Sequence, residues 1–294
     1  MRHLIDQGHE IVAVLTRPDA PAGRGKKLTD SPVAKLAAEH GIPVLKPTTP
    51  DQKLIAQVKD LRADVAAVVA FGMLLPQDLL DAVPGGWINL HFSLLPRWRG
   101  AAPVQRAIWS GDQMSGVTAF RIVKQLDAGP IYRKLEVPIE TGESSGVLLD
   151  RLAELGAPVL ASALQDAVSG VEPTPQPADN ITMAAKIRPE DVRIDWSRPS
   201  EEIDRLVRAA CPQPAAWTTL HGERFQVLAV GKSHRDAEPL APGSLAADRK
   251  HLWVGTGDGE LELVRVKAAG RKPMPGADWA RGQHGGFDQV SFDD

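Results

Sequence analysis

Up to about residue 140, short apolar runs at 11–15, 44–45, 65–70, 87–90 and 117–123 alternate with stretches of helical spacing. Among the latter, 32–40 opens on Pro32 and 51–61 on Asp51, residues suited to a first helical turn and an N-cap. Strands alternating with helices predict a doubly wound, mostly parallel α/β sheet of Rossmann-like topology. A long helical pattern follows over 144–169, and then Pro173, Pro175 and Pro177 alternate with other residues, which cannot continue a helix and favour an extended linker.

Beyond one more helical segment at 200–211 the texture changes. Short β-like runs at 225–230, 251–254 and 260–266, with a Gly257-Asp258-Gly259 turn between the last two, predict a small antiparallel barrel of the OB type. The expected division is a first domain over 1–170, a Pro-rich linker over 171–188 and a barrel domain over 189–294.

Composition narrows the function classes. The chain of 294 residues, 43% hydrophobic, has enough apolar content for two cores. Its formal net charge of −3 argues against a globally basic nucleic-acid binder, so any attraction to RNA has to be local. Cys211 is the only cysteine, which excludes an intramolecular disulfide and a Cys-based zinc site and fits a reducing compartment. The start lacks the apolar core of a signal peptide, and no apolar run approaches the ~20 residues that span a bilayer. The reading is a cytoplasmic, monomeric protein without a bound metal.

Chemistry concentrates in Asn89-Leu90-His91-Phe92-Ser93-Leu94-Leu95-Pro96-Arg97-Trp98-Arg99-Gly100. On a strand, Asn89 and His91 point to one face, an amide and an imidazole placed to steady an oxyanion. The carboxylate that completes such a site is expected from Asp127, in Gln125-Leu126-Asp127-Ala128-Gly129-Pro130. Other chemistries lack residues: Ser93 sits in no Gly-x-Ser-x-Gly elbow, Cys211 lies in the second domain, and no histidine pair has His-x-x-x-His spacing. An Asn-x-His pair by itself is more often a strand-end hydrogen-bonding arrangement.

The combined pattern, Asn-x-His-x-Ser-Leu-Leu-Pro-x-x-Arg-Gly followed by Leu-Asp-x-Gly, resembles the folate-dependent formyltransferases over most of the chain. The resemblance implies a catalytic triad of Asn89, His91 and Asp127 and transfer of a formyl group from 10-formyltetrahydrofolate to an amine. Asn89 and a protonated His91 would donate to the carbonyl oxygen, with Asp127 holding His91 charged and assisting proton transfer. Ser93, Leu94, Leu95 and Pro96 would form the loop against the folate, and Phe71, Gly72 and Leu74, in the 69–76 segment, would line its pterin pocket. Phe71 stands where the family often has Tyr.

The basic turn Arg17-Pro18-Asp19-Ala20-Pro21-Ala22-Gly23-Arg24-Gly25-Lys26-Lys27-Leu28 is similar to the loop with which one branch of that family reaches the acceptor stem of initiator methionyl-tRNA. Gly23, Arg24, Gly25, Lys26 and Lys27 would act there, with phosphate contacts from Lys186 and Arg188. Left open are an amino sugar nucleotide or small ribonucleotide as acceptor, and a non-catalytic RNA-binding protein. The family's opening strand and its Phe-x-Gly-Thr-Pro turn have no counterpart before Gly8, and the sheet is expected to lack its central strand.

Overall fold

The structure, a computed structural model, describes residues 1–22, 27–283 and 290–293. It divides into two compact units, the first holding residues 1–99, 116–136 and 152–183, the second 100–115, 137–151 and 184–294.

In the first unit the helical patterns become helices for local reasons. Ser31 caps Pro32–Glu39 by accepting the Ala34 N–H at 3.2 Å, and Asp51 caps Gln52–Asp60 by accepting the Leu54 N–H at 2.9 Å. Their apolar faces bury Ala34 and Ala37 in one helix and Leu54, Ile55 and Val58 in the other. Leu54, Ile55 and Val58 share a core with Val68, Leu79, Leu80, Val83 and Trp87.

The strands are parallel where helices connect them. Val14–Leu15 pairs with Val44–Leu45, and Ala66–Val68 pairs with Trp87–His91, both in parallel. Beyond Trp87–His91 the strand Met114–Arg121 is added antiparallel, and Ile131–Pro138 lies next to it, so the sheet is mixed at this edge. Close backbone approach fixes two positions here: a Cβ at Gly116 would lie 2.1 Å from the Leu135 carbonyl oxygen, and one at Gly129 would lie 1.7 Å from that of Arg121.

The two parallel pairs do not join. Val14 and Thr16 donate to Pro43 and Leu45, and Ala66 donates to Gly86, so the edges carrying Ala13 and Leu15, and Val65, Ala67 and Val69, turn the other way. Both edges line one cavity of about 1140 Å³, into which Val12, Phe71 and Leu164 also face. The two pairs therefore belong to separate sheets on either side of this cavity, and the first strand is short, two residues where the apolar run has five.

In the second unit five strands, Ala216–Leu220, Glu223–Lys232, Leu245–Ala247, Leu252–Gly255 and Glu260–Lys267, pair antiparallel, with Met274–Pro275 against the last. The amphipathic helix Ser200–Ala210 buries Ile203, Leu206 and Val207 into the same core. Trp196 belongs to that core, stacked on Phe292 at 5.2 Å with its Nε1–H donated to Thr218 Oγ1. Among the described residues no helix is long and apolar enough to cross a membrane.

Phe225 is 2% exposed and meets Trp279 edge-on, with Phe292 tilted against it. Phe225→Ala is expected to destabilise the second unit by about 3–5 kcal/mol, the usual range for emptying such a site. A urea titration followed by tryptophan fluorescence should show the lowered midpoint.

Candidate active site

Asn89 and His91 occupy alternate positions at the carboxyl end of the strand Trp87–His91, where open α/β sheets hold their ligands. The register opposes Asn89 to Val68 on one side and Phe120 on the other, and His91 to Thr118. The turn that follows is pinned by Thr118, whose hydroxyl donates to the Ser93 carbonyl at 2.7 Å and accepts the Leu95 N–H at 3.1 Å. Ser93 donates its own hydroxyl to the Arg97 carbonyl, and the Lys134 ammonium donates to the Leu95 carbonyl.

His91 is 6% exposed. Its Nε2 lies 2.8 Å from the Trp98 carbonyl oxygen, which can only accept, so Nε2 carries the hydrogen. Nδ1 then faces Asp127 Oδ2 at 3.8 Å, an ion-pair distance too long for a direct hydrogen bond. Phe120 meets the ring edge-on at 6.4 Å.

Burial outweighs the nearby carboxylate and carbonyl and pushes the His91 pKa below its ordinary value. Burial thus works against the standing imidazolium expected from the sequence, while Asp127 works for it. Asp127 is placed to favour a positive charge on His91.

Two residues around His91 adopt left-handed backbone, Trp98 at φ 65° and Asp127 at φ 47°. An extended segment of the same unit touches both. Thr182 Oγ1 accepts the Trp98 N–H at 2.8 Å, and the Gln176 amide donates to the carbonyls of Asp127 and Gly129 at 2.9 and 2.8 Å. Sequence reading treats 171–188 as a linker and misses Gln176 and Thr182, because only their distant partners give them a role.

The remaining expected site residues are distributed as follows. Ser93, Leu95 and Pro96 are buried and Leu94 half-buried, so the loop offers a ligand mainly backbone and Leu94. Phe71 packs against the first unit's core and lines the large cavity, whose lining does not include Asn89, His91 or Asp127. Gly72 takes φ 75°, and Leu74 is 82% exposed, an apolar side chain offered to solvent beside the Phe71 turn. Lys186 is exposed, and Arg188, also exposed, lies 3.8 Å from Glu190. Gly23, Arg24, Gly25 and Lys26 lie outside the described residues, and Lys27 begins the short strand Lys27–Thr29.

Residues 1–164 match the family model described as formyl transferase, and residues 186–284 match its C-terminal domain. A methionyl-tRNA formyltransferase of Streptomyces coelicolor is 49% identical over 276 residues, covering 93% of this chain and 89% of that protein. One from a Nocardioides species is 51% identical over 279 residues, covering 93% and 88%. Among solved structures, HypX from Aquifex aeolicus in complex with tetrahydrofolic acid aligns with a TM-score of 0.67 at 19% identity, covering 96% of this chain and 50% of that one, a likeness of fold.

An NMR titration of His91 is expected to give a pKa below about 6.5, the ordinary histidine value. In Asp127→Asn it should fall further, since the carboxylate is what raises it. The unfolded chain binds a proton that the folded chain resists, so this histidine's contribution to stability is full above about 6.5 and is lost as pH falls from there through the lowered folded-state value, which acid denaturation midpoints would register.

Proposed function

The chain belongs to the formyl transferase family, and we propose that it moves the formyl group of 10-formyltetrahydrofolate onto the amino group of initiator methionyl-tRNA. The observation that carries this reading is the convergence on His91 of the Asp127 carboxylate and the Trp98 carbonyl, with Asn89 on the same strand face. The names of relatives about half identical over nearly the full chain support the choice of acceptor.

Attack of the methionyl nitrogen on the formyl carbon puts negative charge on the carbonyl oxygen and leaves a surplus proton on nitrogen. Asn89 donates to that oxygen, and among the described residues its side-chain amide has no competing hydrogen bond. One pre-aimed donor of this kind contributes about 3 kcal/mol to the transition state. Nδ1 of the neutral His91 receives the nitrogen's proton, directly or through a water on Asp127. The imidazolium so formed is paired with Asp127 and donates to the charged oxygen. Collapse breaks the bond to the folate nitrogen, which takes the proton, and the imidazole returns to its neutral state.

Ser93 to Pro96 and the Phe71–Leu74 segment hold the folate in this reading. The loop at 23–27, with Lys186 and Arg188, holds the acceptor stem. Residues 1–170 carry the chemistry, and 189–294 assist in binding tRNA.

The test is transfer from 10-formyltetrahydrofolate to methionyl-initiator tRNA, with a 3-amino sugar nucleotide and glycinamide ribonucleotide as rival acceptors. Preference for either small acceptor overturns the assignment. His91→Ala and Asn89→Ala should each lower kcat by about 100-fold or more while tRNA binding, read by filter retention, stays within a few-fold. Arg24→Ala should do the reverse, weakening the tRNA and leaving the folate unaffected.

A further inference from the structure

The backbone around Asp127 is an uncommon one for a residue with a side chain, and its surroundings have to hold it. Gln176 is built for that task. Its Oε1 accepts from Nε and Nη2 of Arg99 at 3.1 and 2.6 Å, and its Nε2 donates to the Asp127 and Gly129 carbonyls. A guanidinium can only donate and a peptide carbonyl can only accept, so the amide has one orientation here, with both ends fully engaged. Arg99 is 7% exposed, which places a buried charge behind the oxygen end.

The segment that carries Gln176 is itself fixed. Ile131 and Thr174 exchange backbone hydrogen bonds at 2.7 and 2.9 Å, setting the register two residues earlier, and Thr182 anchors the segment on Trp98. The chain is thereby tied on both sides of His91: through Thr182 to the N–H of Trp98, whose carbonyl takes the Nε2 hydrogen, and through Gln176 to the backbone carbonyl of Asp127, whose carboxylate faces Nδ1.

We infer that Gln176 is a positioning residue for the transfer reaction: its amide clamps the left-handed turn at Asp127 so that the carboxylate is aimed at His91, and Arg99 locks the amide. This rests on the reading of His91 and Asp127 given under the proposed function. A misplacement of about 1 Å in such a group costs on the order of 100-fold in rate, so the clamp bears on turnover more than on binding.

Two variants separate positioning from mere support. In Gln176→Glu the oxygen end still pairs with Arg99, but the other end can no longer donate to the two carbonyls. It should still unfold in one cooperative transition well above the assay temperature while kcat falls about 10-fold to 100-fold, with KM for donor and acceptor within about twofold. Full kcat, or a KM that rises as much as kcat falls, overturns the inference. Gln176→Leu, uncharged, is read without turnover. Asp127 is the charged side chain facing His91, the Trp98 carbonyl and the Phe120 ring lying on other sides, so its release should lower the His91 pKa toward that of Asp127→Asn. An unchanged His91 titration overturns the inference even if the parent chain fails to formylate methionyl-tRNA, a result that by itself would sink only the proposed function.

Discussion

The hydrogen bond from His91 Nε2 to the Trp98 carbonyl governs what the rest of the site can do. A carbonyl cannot donate, so one ring nitrogen is committed to the protein and the other faces Asp127. That remaining nitrogen looks toward Asp127 from 3.8 Å, close enough to feel its charge and too far for a direct hydrogen bond. Burial disfavours a charge on this ring, and the Asp127 carboxylate favours one.

This arrangement depends on a fold that brings three separate pieces of chain to one strand end. The strand Trp87–His91 supplies the imidazole, the turn after Met114–Arg121 supplies the carboxylate, and the extended stretch near Gln176 ties them together. Thr118, fully buried, contributes by bridging the Ser93 carbonyl and the Leu95 N–H. Each contact lies within the first compact unit.

Much of this was legible in the residue pattern where the cause is local. The helices at Pro32–Glu39 and Gln52–Asp60 follow from their caps, and Ser145–Val168 ends within one residue of its apolar period at either side. Pro103–Ser110 was equally readable, from Pro103 inside its start and left-handed Gly111 just past its end, yet went unread beside the motif. The strand Ile131–Pro138 escaped because Arg133 interrupts the apolar alternation of Ile131, Leu135 and Val137. The place of Asn89 and His91 at one strand end, with Asp127 near the imidazole, was expected from the motif and its resemblance to the family. The lowered pKa of His91, the left-handed backbone at Asp127 and the hydrogen bonds of Gln176 were not, since each arises from burial or from partners remote along the chain.

The close backbone approach at Gly129 sets what the turn carrying Asp127 can tolerate. A Cβ there would lie 1.7 Å from the Arg121 carbonyl oxygen, so any side chain at this position forces the two arms of the turn apart. Substitution is thereby closed off by space alone, two residues from the carboxylate and without touching it.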